Sequence, residues 1–342
     1  MHRPAPRSAL RPALAALPAA AIVAVLSIAS AQAAVPAAYR IVDLGTNIHV
    51  LDMDGGGQLA AYGLRPTDPK GHEFPMVIAP DGQRAMLDGG PHGGVAHGVS
   101  GARAVGQVRK KAQGRQQAVL WPATDAAPVL LAVVPGTSSS LARRVTPDGV
   151  IYGTGGNAVT EKCLRWTGAG PGGGVVEVLA ATCRVVDGND TGQLALQLGS
   201  HVGTWRDGHA IDLGVLPGGS LSFPTGINAL GHLSAYGTDA QGNNQPIWSD
   251  GQRLVVLPGL GGSSGQAQAL NDLDEVAGMA TDAAQQSHPF VYSGGQTVAI
   301  DGRIQGFAGW RIVDISVLAN DGTLVVTGMF KGKVHAIRLV PL

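Results

Sequence analysis

An internal repeat constrains this chain more than any other feature. Ile227 and Asn228, followed by Gly231 and Leu233, are matched by Leu270 and Asn271 with Asp274 and Val276, and by Leu318 and Ala319 with Gly322 and Leu324. Val145 and Thr146 with Gly149 and Ile151 fit the same frame, as do Asn189 with Gly192 and Leu194, and Met53 and Asp54 with Gly57 and Leu59. Val99 and Ser100, with Arg103 and Val105, form a shorter copy. The anchors fall at 54, 100, 146, 189, 228, 271 and 319, separated by 39 to 48 residues. Seven such units account for the chain after its first 33 residues and leave nothing for a second domain.

Each unit carries the same grammar. A short strand ends at the apolar residue before the anchor, and the anchor turn follows, with Gly supplying a positive φ at little steric cost. A second strand reads Gly-x-Leu/Val-x-x-Gly. The third ends in a ring or other bulky apolar group: Trp121, Trp166, Trp205, Trp248 and Tyr292 fill this slot. Tight turns such as Asp207-Gly208 and Asp250-Gly251 then lead to a fourth strand. Four antiparallel strands in 40–45 residues describe one blade of a β-propeller. The predicted fold class is all-β, a ring of seven four-stranded blades. The weaker match of the early units leaves six or eight blades open. A β-solenoid is the competing architecture, but its coils need only about 20–30 residues each. Composition agrees: 51 Gly and 21 Pro exclude a long-helix protein, and 44% hydrophobic residues exclude a disordered chain.

The two ends of the repeat region complement each other. The last unit has a third strand, Val334–Leu339, and no fourth. Tyr39–Gly45 is a spare fourth strand matching Ala210–Gly214. Pairing these segments would close the ring and remove two exposed sheet edges.

Residues 1–33 read as a secretory signal peptide. Arg3, Arg7 and Arg11 precede an Ala/Leu/Val stretch broken by Pro12 and Pro18, and Ala31-Gln32-Ala33 supplies a cleavage pattern. The expected product is exported, periplasmic or extracellular, with no membrane span after cleavage, and a monomer. Beyond residue 33 the chain has 21 basic and 24 acidic groups, so no broad electrostatic footprint for nucleic acid exists. The only cysteines, Cys163 and Cys183, form a plausible disulfide in an oxidising compartment, with two buried free thiols as the alternative.

The segment Asp212–Ser220, then Gly226 to Asn228, the strand Gln245 to Trp248 and the linker Leu257 to Gly262 together resemble the bacterial extracellular HAF repeat. The His-Ala-Phe motif of that family is approximated by His288-Pro289-Phe290 and by His335-Ala336-Ile337. The resemblance is good over roughly 200–311 and weak before residue 140. It implies an exported, propeller-like repeat protein and no particular activity.

Several motifs invite chemistry and are better read as architecture. Gly261 to Gly265 spells a nucleophile elbow, but no helix follows Ser263, and the same slot elsewhere holds inter-blade linkers. Gly168, Gly170 and Gly173 have dinucleotide-fingerprint spacing without a helix to hold phosphate, so a hairpin loop is expected. Asp52 and Asp54 on a Gly turn lack the further carboxylates of a calcium loop. No His-x-x-x-His pair exists, and no metal or cofactor is expected. Arg109, Lys110, Lys111 and Arg115 make the only basic knot, expected in a solvated loop.

Propeller geometry places any ligand site at the central channel, which first strands line. Three positions before each anchor stand Leu51, His97, Arg143, Val186, Thr225, Gln268 and Ser316. Of these, His97, Arg143, Gln268 and Ser316 are the candidate ligand-binding groups. A one-residue error would reverse their direction. No acid occupies the slot. That favours a non-enzymatic module binding an unknown protein or glycan over the rival, a hydrolase or lyase acting on an envelope polysaccharide or lactone. A cluster of channel acids with raised pKa would reverse the preference.

Overall fold

The computed structural model describes residues 35–64, 71–110, 114–157 and 159–342. The proposed signal peptide and Lys111 lie outside these residues.

The chain forms a seven-bladed β-propeller, each blade a four-stranded antiparallel sheet. The first strands of blades 1 to 7 are Ile48–Met53, Gly94–Ser100, Ser139–Val145, Arg184–Gly188, Ser222–Ile227, Gly261–Leu270 and Trp310–Leu318. The ring closes as the sequence predicts. Tyr39–Thr46 pairs antiparallel with Lys333–Pro341, in a register from Tyr39 opposite Pro341 to Thr46 opposite His335. A two-residue strand, Ile304–Gln305, adds to the outer side of Tyr39 and Arg40.

The core is divided among the spaces between neighbouring blades. Ala60 and Val77 of blade 1 meet Ala96, Val119 and Trp121 of blade 2. Val105 and Leu120 of blade 2 meet Ile151, Leu164 and Trp166 of blade 3. Each blade is therefore buried on both faces, and apolar residues sit on both sides of its middle strands. The fully buried Trp121 and Trp166 donate their indole N–H groups to Asp88 O and Ala132 O, in the linkers that lead into their own blades (2.8 and 2.7 Å).

The anchor turns explain the repeat. In blade 5, Asn228 Oδ1 accepts the N–H groups of Leu230 and His232. Gly231 N–H returns to Asn228 O with φ +79°. Asn189 and Asn271 build the same turn, with Asp274 adopting the positive φ in blade 6. The anchor side chains also tie blade to blade. Asn189 Nδ2 donates to Asn228 O, Asn228 Nδ2 to Asn271 O, and Asn271 Nδ2 to Ala319 O. One buried amide thus shapes its own turn and bonds the next.

Cys163 and Cys183 form a disulfide with Cα atoms 5.4 Å apart, joining the third strand of blade 3 to the linker before blade 4. Two other expectations are corrected. Ser263 lies within the first strand of blade 6, not in an inter-blade turn, because that strand extends back to Gly261. Arg109 ends a strand and pairs with Glu73 at 2.7 Å, so it is not part of a solvated loop. Gly168, Gly170 and Gly173 occupy the turn between the third and fourth strands of blade 3, as expected.

Candidate functional site

The seven slot residues share a backbone feature that the sequence does not display. In every blade, the register between first and second strands skips the slot residue: Leu51, His97, Arg143, Val186, Thr225, Gln268 and Ser316; blade 7 also skips Val313, and blade 6 is irregular again between Gly261 and Gly265. Each slot residue is the extra residue of a β-bulge, freed from the ladder and re-aimed. All seven line one central cavity of about 810 Å³ that extends to the anchor turns. The slot predicted by spacing is thus a ring of bulges around the channel.

The four candidates are not equivalent. Gln268 is engaged at both polar atoms, donating to Asp314 Oδ1 at 2.8 Å and accepting Ile315 N–H at 3.1 Å, so it ties blade 6 to blade 7. Ser316 lines the cavity on blade 7. His97 and Arg143, from adjacent blades, meet directly, with Arg143 Nη1 donating to His97 Nδ1 at 3.2 Å. That bond places the imidazole proton on Nε2. Burial, and then the Arg143 charge, hold His97 well below its ordinary pKa, which keeps the ring neutral. His97 Nε2 and Arg143 Nε are buried without a hydrogen-bond partner among the described residues.

Charged residues one position after the slot were missed by the sequence argument. Arg144 bridges Asp52 of blade 1 (3.5 Å) and Asp190 of blade 4. Gly98, the equivalent residue of the intervening blade 2, has no side chain to interpose. Asp52 Oδ2 also accepts Val99 N–H at 3.0 Å, and Asp187 accepts the N–H groups of Gly188 and Ile227 at 2.7 and 3.1 Å. Burial raises the Asp52 pKa against the pull of Arg144. Burial, reinforced by the Asp52 charge, pushes Asp187 up to about 6. Burial also raises Asp314. Burial works against the Arg144 charge too, but Asp52, Asp187 and Asp190 outweigh it and raise its pKa. The column at anchor minus two holds Asp52, Arg144 and Asp187 in units 1, 3 and 4. Reading both columns would have found them.

Among the described residues no group of three or more His, Cys, Asp or Glu side chains could hold a metal ion. No helix there is long and apolar enough to cross a membrane.

No family model matches the chain, and no curated protein matches it. Solved structures share its fold at low identity. The β-propeller domain of the Trilobed protease from Pyrococcus furiosus is 11% identical with a TM-score of 0.56, over 89% of this chain and 95% of that one. The acylaminoacyl peptidase of Pyrococcus horikoshii is 11% identical with a TM-score of 0.56; the match spans 86% of this chain and 51% of the peptidase. YCF48 bound to D1 peptide is 12% identical with a TM-score of 0.53, over 90% of this chain and 99% of that one. At such identities the likeness establishes the propeller fold and nothing further.

Proposed function

We propose that this chain is an exported, non-enzymatic β-propeller of the HAF-repeat type that binds a partner through its central channel. The observation that carries the reading is the ring of bulges, which sets His97, Arg143 and Ser316 on one cavity large enough for a small molecule or a peptide segment. The disulfide is consistent with an oxidising compartment. A propeller of similar fold has been solved with a bound peptide, so the architecture can hold one.

Asp52 and Asp187 favour a second reading, the hydrolase or lyase, since channel acids with raised pKa suit general acid–base work. Their hydrogen bonds weigh against it. One oxygen of each carboxylate accepts a backbone N–H of the next blade, so both acids already serve blade-to-blade cohesion.

The test is a screen of the purified protein, beside Val186→Trp, which narrows the channel, against envelope glycans and secreted proteins. A saturable partner lost in the narrowed variant supports the reading. A partner held equally by both overturns it, and turnover of a polysaccharide or lactone that Asp187→Asn abolishes establishes the enzyme instead.

A further inference from the structure

Arg143 is a guanidinium without a counter-ion. Arg144 has Asp52 and Asp190, but no carboxylate lies within 4 Å of Arg143 among the described residues. Its Nη1 is spent on a neutral imidazole, its Nε is buried without a partner, and its Nη2 makes no hydrogen bond among the described residues. Nε has almost no exposed surface, so Nη2 is the donor left to meet an anion in the cavity by a charge-assisted bond. A partly buried charge without an ion-pair partner is costly, and burial lowers the Arg143 pKa. Asp187 is the carboxylate that acts on it most strongly, from beyond ion-pairing distance.

The rest of the wall restricts which anion suits. Six aspartates and three arginines line the cavity, so a multiply charged anion such as phosphate meets a net negative surface. Most of those carboxylates are committed. Asp272 is held through both oxygens by Ala229 N–H and the Asn320 amide. Asp321, on the anchor turn of blade 7, uses Oδ1 for Thr323 N–H and leaves Oδ2 for another donor. The channel therefore offers an unmatched cation at the level of the bulges and an under-used carboxylate at the anchor turns.

We propose that the channel seats a zwitterionic ligand of amino-acid or short-peptide type, its carboxylate on Arg143 and its ammonium on Asp321. This rests on the channel-binding reading above and adds the ligand class and polarity.

The experiment is calorimetric titration of the purified protein with 6-aminohexanoate, hexanoate, a short oligoglycine and inorganic phosphate at fixed ionic strength. At least one of the two zwitterions should bind saturably, with hexanoate several-fold weaker and phosphate silent. Arg143→Gln should weaken the zwitterion at least tenfold, Arg143→Lys less, and Asp321→Asn several-fold, with melting curves confirming that each variant folds. Should Arg143→Gln fail to fold, the Lys and Asn variants carry the test, and unchanged affinity in both overturns the proposal. Phosphate or hexanoate binding as tightly as the zwitterions overturns it, as does a wild type that binds none of the four. Val186→Trp separates the two levels. Binding lost in the narrowed variant but retained in Arg143→Gln removes the Arg143 seat and keeps the channel. Binding retained in both removes the channel as well.

Discussion

His335 and Asp43, 292 positions apart in the chain, share a 2.9 Å hydrogen bond between the third strand of the last blade and the N-terminal strand that closes it. Blade 4 repeats the device with His201 and Asp212, also at 2.9 Å. In both copies the aspartate turns back to accept the N–H of the glycine two residues on, Gly45 or Gly214, at 2.8 Å. The Asp-Leu-Gly likeness between the N-terminus and blade 4 is therefore a likeness of hydrogen bonding.

Closure should be sensitive to this pair. His335 is 8% exposed and sits edge-on to Trp310 at 5.0 Å, so His335→Ala removes both the bond to Asp43 and a packed ring, while the exposed Asp43 carboxylate turns to water. The expected loss is about 1–3 kcal/mol, read from the urea midpoint. Deleting residues 34–45 removes most of the seventh blade's fourth strand and should abolish cooperative unfolding. A truncation that melts like the intact protein would mean the strand is dispensable.

The anchor amides should matter more than their turn positions suggest. Asn228→Ala removes two acceptor bonds inside its own turn and the donor to Asn271 O, at a site 4% exposed. Roughly 2–3 kcal/mol should be lost. Asn228→Asp keeps the acceptors but sets an oxygen against Asn271 O and the Asp274 carboxylate, so it should be no more stable than Asn228→Ala; if it matches wild type, the inter-blade bond contributes nothing measurable.

Gly278→Ala tests the bulge itself. This glycine faces Ala267, the residue before the bulged Gln268, and an added Cβ would collide with Gln266 O, a backbone atom that cannot swing aside. Gly106 and Gly153 are crowded in the same way by Val95 O and Leu141 O. Strain of this kind typically costs 1–3 kcal/mol. A variant as stable as wild type would show that the first strand shifts freely.

The disulfide closes a loop across a sequence separation of 20 and joins blade 3 to the approach to blade 4. Replacing both cysteines by serine should cost roughly 3 kcal/mol by loop entropy. Equal denaturant midpoints for oxidised and reduced protein would contradict this.

The pH dependence follows from Asp187. Its folded pKa of about 6 stands above the ordinary 3.8, chiefly through burial. Between those values the folded chain keeps a proton that the unfolded chain has released, so this group's contribution to stability falls as pH rises through the interval. Asp187→Asn, which retains an acceptor for Ile227 N–H, should flatten the melting temperature there, and Asp52 should account for what slope is left. An undiminished decline in the variant would assign the effect elsewhere.

Spacing alone pointed to seven blades with six or eight still open, and it determined the strand grammar, the closing segment and the column of residues that lines the channel. These follow from local chemistry: turns need Asn, Asp or Gly at fixed offsets, and strands between two apolar layers need apolar side chains at set positions. Three things waited for the tertiary structure. The column is a ring of bulges, because a skipped residue is visible only against the register of its neighbour strand. The acids Asp52 and Asp187 acquire raised pKa values only because the closed ring buries them, and sets Asp52 near Asp187, against the opposing pull of Arg144. Arg143 and Gln268 were equals by spacing. They differ because Asp314 reaches Gln268 while no carboxylate among the described residues reaches Arg143, and such a meeting between blades is a property of the closed ring, not of any one repeat.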